Sequence, residues 1–215
     1  MATLDQATKI LEVFKGTPTE QIQDILSSGL LADLRDANIG IIDRSTYRNM
    51  CGLLPKEFLT WKIINIGTGF KNADNFREAI KTEGHDISDW ANDIIGKPAF
   101  SVSADEKKEI ELVRVTVAEF GFKNGATLEN IYARANELGL DLCPNEVGPQ
   151  LRLQYKDQPK GERIRIAMDP IKDSDGDPCV FHVVRSDGGE SWLSTDYDYP
   201  GFVWSSDDVW VFRRK

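Results

Sequence analysis

Few residues of this chain combine a type and a spacing that could do chemistry. Asp173–Pro178, "DSDGDP", places carboxylates at alternate positions, as the first half of a calcium loop does. Such a loop needs glycine at its sixth position and a bidentate glutamate at its twelfth, because a hard cation takes six to eight oxygens around a sharp turn. Here those positions hold Pro178 and Val184, so the stretch reads as a hairpin turn and no metal is expected. "GTG" at Gly67–Gly69 would open a dinucleotide fingerprint only with a third glycine at position 72, which is Asn72. It reads as a plain strand-to-helix turn. His85 sits in a polar turn and His182 within the apolar "VFHVV", and neither belongs to an H-x-x-x-H, G-x-S-x-G or Cys–His signature. Cys51, Cys143 and Cys179 are far apart and form no C-x-x-C pair, so they are expected as free, buried thiols of a cytoplasmic protein. Cys143, directly before Pro144, suits a small buried hydrophobe better than a nucleophile. Arg163 and Arg165 alternate with Ile164 and Ile166, which puts both arginines on one strand face, expected to be solvated. Arg213, Arg214 and Lys215 are expected in solvent. No catalytic residue and no cofactor is assigned.

One stretch does look built for contact. "WLSTDYDYPGFVWSSDDVWVF", Trp192 to Phe212, holds Trp192, Trp204 and Trp210 with Tyr197 and Tyr199, out of five Trp and five Tyr in the chain. Ser, Thr, Asp and Gly lie between them, without Lys, Arg or Glu. Tyr and Trp bury large area at small entropic cost, and mixed with Ser and Gly they form adaptable binding surfaces. The expected ligand-binding residues are Ser194, Thr195, Asp196, Tyr197, Asp198, Tyr199, Phe202, Val203, Trp204, Ser205, Ser206, Asp207 and Asp208. Trp192 and Trp210, inside strand-like runs, are expected as core anchors. The carboxylates of this region favour a neutral or basic protein ligand.

Composition narrows the partners. The chain has 215 residues, 40% hydrophobic and 28% charged, as ordinary globular proteins do, and a net charge of -9. That charge repels phosphate, so nucleic acid and anionic membranes are not expected as partners. No run approaches the roughly 20 apolar residues that span a bilayer. "MATLDQATKILEVFKG" lacks a basic and a continuous apolar region, and is expected to be an amphipathic helix rather than a signal peptide.

The elements that must position the stretch follow from periodicity. Leu4, Ala7, Ile10, Leu11 and Phe14 recur at helical spacing. "TPTE" predicts a capping box, with Thr17 as N-cap, Pro18 in the first turn and Glu20 three after the cap, and with Gly29 ending the helix. "LLADLRDAN" and "RSTYRNMCGLL" read as two further short helices. "TWKIINIGTG" is a strand, followed by helices in "NADNFREAIKTEG" and "DISDWANDII". "GKPAFSVSADEKKEIE" breaks the pattern, and a linker is placed at 96–108. The G-F-K-N of 69–72 and 121–124 each follows a strand-like run and precedes a helix, so the two regions read as similar β–turn–α units. Thr127 caps "LENIYARANELG", and Gly139 stops it. "LRLQY", "RIRIAMDPI", "CVFHVVRS", "SWLS" and "VWVFRR" read as strands. The fold expected is α+β. A helical part, 1–95, for docking or assembly precedes a domain at 109–215, where one or two helices cover one face of a mainly antiparallel sheet.

Residues 126–215, with "ISDWANDIIGK" before them, resemble an uncharacterised family found in candidate-phylum bacteria and related microbes. The ending "WLSTDYDYPGFVWSSDDVWVFRRK" is similar to the variable proteins of diversity-generating retroelements. The resemblance implies a C-type-lectin-like fold with a hypervariable ligand-binding patch at the C-terminus. It also implies mutagenesis at the adenines of AAC codons, which can yield Ser, Thr, Asp, Tyr, Gly, Phe, Val and Pro but not Trp. Positions 194–203 and 205–209 all belong to that set, and Trp204 would be a fixed post. The function expected is a non-enzymatic binding protein displaying an aromatic, acidic loop, with homo-oligomerisation compatible. The alternative is an acidic immunity-type protein that neutralises a basic partner. An enzyme whose site the sequence hides ranks third.

Overall fold

The structure, a computed structural model, describes Glu12 and residues 15–28, 58–102 and 107–215. The chain divides into two compact units, Met1–Pro55 and Lys56–Lys215.

In the first unit helix α1 spans Thr19–Ser27. The expected capping box is not formed: Pro18 is the N-cap, with its carbonyl accepting from Ile22 N at 3.1 Å, and no side chain caps the helix. A proline carbonyl can accept the first helical bond although its nitrogen donates none, which moves the start one residue past the expectation. The helices expected at 4–14, in "LLADLRDAN" and in "RSTYRNMCGLL", the Gly29 stop and Cys51 lie outside the described residues.

The second unit is α+β. Its strands are β1 (Lys62–Ile66), β2 (Asp86–Ile87), β3 (Lys108–Thr116), β4 (Leu140–Asp141), β5 (Arg163–Ile166), β6 (Ile171–Lys172), β7 (Pro178–Arg185), β8 (Ser191–Tyr197) and β9 (Val209–Arg214). They form one sheet in the order β1-β3-β9-β5-β7-β8-β2, with β4 added to β9 and β6 to β7. Neighbours are antiparallel except the pairs β5–β9 and β2–β8. The linker expected at 96–108 falls inside this unit: β1 before it and β3 after it are hydrogen-bonded neighbours, Lys62 facing Leu112 and Ile66 facing Lys108.

Four helices pack on the sheet: α2 (Ala73–Thr82), α3 (Asp89–Ile95), α4 (Leu128–Glu137) and α5 (Val147–Gln154). Asn72, Ser88 and Thr127 cap the first three, each side chain accepting the backbone N–H three residues on. The two G-F-K-N stretches do both join a strand to a helix. Only the first contains the cap itself, and the second begins at Gly121, directly after a 3-10 turn, Ala118–Phe120.

Helix α5 corrects the sequence reading, which made "LRLQY" a strand. Val147, Gly148, Leu151 and Arg152 are all buried, so no polar face marks the helix period, and Leu-Arg-Leu imitates alternation. Pro149 lies in the first turn, where its missing N–H leaves nothing unpaired. Gly148 allows the helix to touch the sheet: a Cβ there would lie 2.7 Å from the Phe181 ring. Helices cover both sheet faces, not one. Trp210 faces Arg165, and Arg165 faces His182, so these three share a face, and Tyr132 of α4 packs edge-on to Trp210 there. Phe181, adjacent to His182, points to the opposite face, against α5.

Candidate ligand-binding loop

Strand β8 continues to Tyr197, so Ser194, Thr195, Asp196 and Tyr197 are strand residues and the loop proper is 198–208. The hairpin turn expected at "DSDGDP" joins β6 to β7: Asp173 Oδ1 accepts from Asp175 N at 3.0 Å and Asp177 N at 2.9 Å. Asp198 N donates to Pro178 O at 2.9 Å, so this turn lies beside the start of the loop.

The second half of the loop is fastened down. Trp204 is buried and exchanges backbone hydrogen bonds with Ala126, 2.9 Å from Trp204 N and 3.1 Å to Trp204 O. Its indole Nε1 donates to Asp198 Oδ1 at 3.2 Å, and its ring meets Trp210 edge-on at 4.8 Å. Gly125, at φ 83°, passes so close that a Cβ would press into the Trp204 carbonyl oxygen. Ser206 O accepts from Ala118 N at 2.8 Å, and Asp208 O from Val117 N at 3.1 Å. Asp208 Oδ2 accepts from Ser205 N at 2.8 Å, closing a tight turn.

Arg165 ties the two ends together. Its Nε lies 2.8 Å from Asp196 Oδ2 and its Nη1 2.9 Å from Asp208 Oδ1, and the guanidinium sits 5.0 Å from the Trp204 ring. His182 Nδ1 lies 3.1 Å from the same Asp196 oxygen. Neither Nε nor Nδ1 is aligned as a hydrogen-bond donor to it, so the cluster is held chiefly by charge and proximity. Burial would raise the Asp196 carboxyl, but His182, Arg165 and Arg163 outweigh it and hold it at about 2. Burial lowers the His182 value, against the pull of Asp196. The solvated arginine face expected for "RIRI" is therefore corrected: Arg163 is exposed, but Arg165 is buried under the loop, where only a paired cation is stable.

The first half of the loop is displayed. Tyr199, Phe202 and Val203 are 48%, 43% and 55% exposed. Tyr199 stacks on the half-buried Tyr197, ring centroids 5.6 Å apart, and Phe202 leans on Trp204 at 4.9 Å. Ser205 and Asp207 are exposed, and Ser194, Asp196, Asp198, Ser206 and Asp208 are half-buried. Thr195 is buried, because it alternates onto the opposite face from Ser194 and Asp196. The expected residues thus split into a display set (Tyr199, Phe202, Val203, Ser205, Asp207), a holding set (Asp196, Asp198, Trp204, Asp208), and Ser194, Thr195, Tyr197 and Ser206, which belong wholly to neither. Trp210 is a core anchor as expected. Trp192 is not: it is half-buried on β8, across from Val184 and Asp86.

Sequence reasoning missed Arg165, His182, Gly125 and Ala126. A histidine inside an apolar strand needs a polar neighbour on its own face, and that was the one usable signal for the cluster. Cys143 and Cys179 are free and buried, the latter pushed up to about 12 by burial and by nearby Asp173 and Asp177. Among the described residues no group of His, Cys, Asp and Glu is placed to hold a metal ion, and no helix is long and apolar enough to cross a membrane.

No protein family, curated protein or solved structure matches this chain.

Proposed function

We propose that the chain is a non-enzymatic binding protein that recognises a protein partner through the loop tip Tyr199–Val203. One observation carries this reading: three large apolar side chains stand exposed together directly beside a Trp that is buried and fixed on several sides. Aromatics exposed on a rigid base lose little entropy on contact and form the usual centre of an interface. The reading includes the variable-protein resemblance in a narrowed form. Asp196 and Asp208 are reachable by adenine mutagenesis but engaged with Arg165, so variation is tolerated best at 199–203, 205 and 207.

Two experiments test it. Replacing Tyr199, Phe202 and Val203 together by Ser should leave the melting temperature within a few degrees and abolish retention of a partner purified on the unaltered chain. Retention at full strength by the folded variant would place the binding surface elsewhere. Sequencing the gene's surroundings should show a reverse transcriptase gene and a near-copy of the segment encoding 194–209 that differs at adenines. Absence of both would remove the retroelement part of the reading and leave the loop part standing.

A further inference from the structure

We propose that the cleft between α2, α5 and the turn after β1 binds a small anion with an apolar body, an aryl carboxylate or an aryl phosphate. This is a second site, independent of the loop. The cleft has a volume of about 710 Å³, a size that suits small ligands.

Its floor is fixed by hydrogen bonds within the protein. Gln150, 1% exposed, donates through Nε2 to Thr68 Oγ1 at 2.8 Å and to Glu146 Oε1 at 2.9 Å. Gln154 Nε2 donates to Asn65 O at 2.7 Å and to Gln150 Oε1 at 2.9 Å, and its Oε1 accepts from Asn65 N at 2.9 Å. At Asn65, side-chain amides of α5 thus take the place of a further strand beside β1, the last strand of the sheet order. Gly67 at φ 62° and Gly69 at φ 94° turn the chain sharply from β1 toward α2.

The cleft offers a surplus of donors. Thr68 Oγ1 accepts from Gln150, and its own proton has no acceptor among the described residues. Asn75 Oδ1 accepts from Lys71 N at 3.0 Å, whereas Asn75 Nδ2 has no acceptor among them. Lys71 and Lys107 line the cleft, both exposed, and neither forms an ion pair with a described residue. Of the acids along the wall, Glu83 is paired with Lys156 at 2.7 Å, and Glu78 is exposed on α2 without a cation partner among the described residues. Two cations and two neutral donors therefore face one free carboxylate. Ammonium groups hold carboxylate or phosphate oxygens by charge-assisted hydrogen bonds, so this balance selects an acceptor-rich anion. The half-buried Phe70, Ala79 and Leu153 form an apolar wall, against which the body of such a ligand leaves water. The net charge of -9 does not prevent binding, because physiological salt screens carboxylates more than roughly 8 Å away.

The test is a titration of the full 215-residue chain, isotopically labelled, with phenyl phosphate, phenylacetate, neutral phenylacetamide and cationic phenethylammonium, followed by backbone amide shifts. At least one of the two anions should shift amides of 68–71, 75–79 and 150–154 and bind at least about threefold more tightly than phenylacetamide, and phenethylammonium should shift none of them. Binding of phenyl phosphate alone identifies a phosphate ester, binding of phenylacetate alone a carboxylate, and binding of both the shared anionic group. Lys71→Gln combined with Lys107→Gln should weaken the anion by about fivefold, and Glu78→Gln should strengthen it by about twofold. All three side chains are exposed, and melting curves check that the variants stay folded. The inference is overturned if neither anion shifts these amides, if the shifts fall elsewhere, if phenylacetamide binds as tightly, or if the lysine variant binds the anion undiminished. None of these results touches the loop, whose own test is partner retention by the triple Ser variant.

Discussion

Arg165 Nη1 lies 2.9 Å from Asp208 Oδ1, and this pair ties β5 to the last loop residue before β9, the strand that runs parallel to it. The same guanidinium reaches Asp196 at the end of β8 and lies over the Trp204 ring. One buried cation therefore holds the start, the middle and the end of the displayed segment.

Replacing Arg165 by Met should destabilise the protein by about 3–5 kcal/mol, because removing one partner of a buried pair strands the other charge. Urea unfolding measures this. Loss below about 1 kcal/mol would show that Asp196 and Asp208 find water or other partners and that the loop does not depend on Arg165.

Acid should weaken the fold through Asp196. Its folded value, about 2, lies below the ordinary 3.8, so its contribution is fully present above pH 5 and is lost as pH falls toward 2. The difference corresponds to about 2 kcal/mol. Asp196→Asn should be less stable at pH 7 and should lose this part of the pH dependence. An unchanged slope of stability against pH in that variant would assign the acid sensitivity to other carboxylates.

The tryptophans of the stretch should behave unequally. Trp204→Ala should cost about 3–5 kcal/mol, as truncating a buried aromatic does, whereas half-buried Trp192→Ala should cost clearly less. Denaturant midpoints of the two variants, compared at equal slope, decide the order.

Calcium should leave the melting temperature unchanged. Asp173 Oδ1 already accepts two backbone N–H groups of its own turn, and a ligand that bound only the folded chain would have to raise the midpoint. A concentration-dependent rise would mean that the turn reopens around the ion.

A fragment spanning 56–215 should melt cooperatively, with the same near-ultraviolet tryptophan signal per molecule as the whole chain, since all five Trp lie within it. Its sheet is complete, since β1 and β2 come from the residues before 96 and pair with β3 and β8 after it. A broad, non-cooperative transition would show that the first unit is needed for this one to fold.

Much of the sheet was legible because β7 and β9 are long apolar runs bounded by turn residues, and the caps Asn72, Ser88 and Thr127 stand where helices begin. What could not be read is what lies across the sheet. Nothing local tells that Arg165, in a strand with textural alternation, faces His182 and Asp196 rather than water. Helix α5 was hidden by burial on all sides. The sequence pointed to the aromatic stretch as a whole, but which of its side chains are held and which are shown depends on Ala126 and Arg165, 78 and 39 positions before Trp204 by simple difference.

The reciprocal bonds between Trp204 and Ala126 have a consequence for how this protein can be altered. They clamp the backbone just after the tip, while β8 and the bond from Asp198 N to Pro178 O hold it just before. The few residues between are a replaceable insert whose length and content can change without disturbing the sheet. Doubling such a segment adds only about 0.6 kcal/mol of closure entropy. New tips could be grafted between Asp198 and Trp204, and the scaffold would accept them as an antibody framework accepts a new loop.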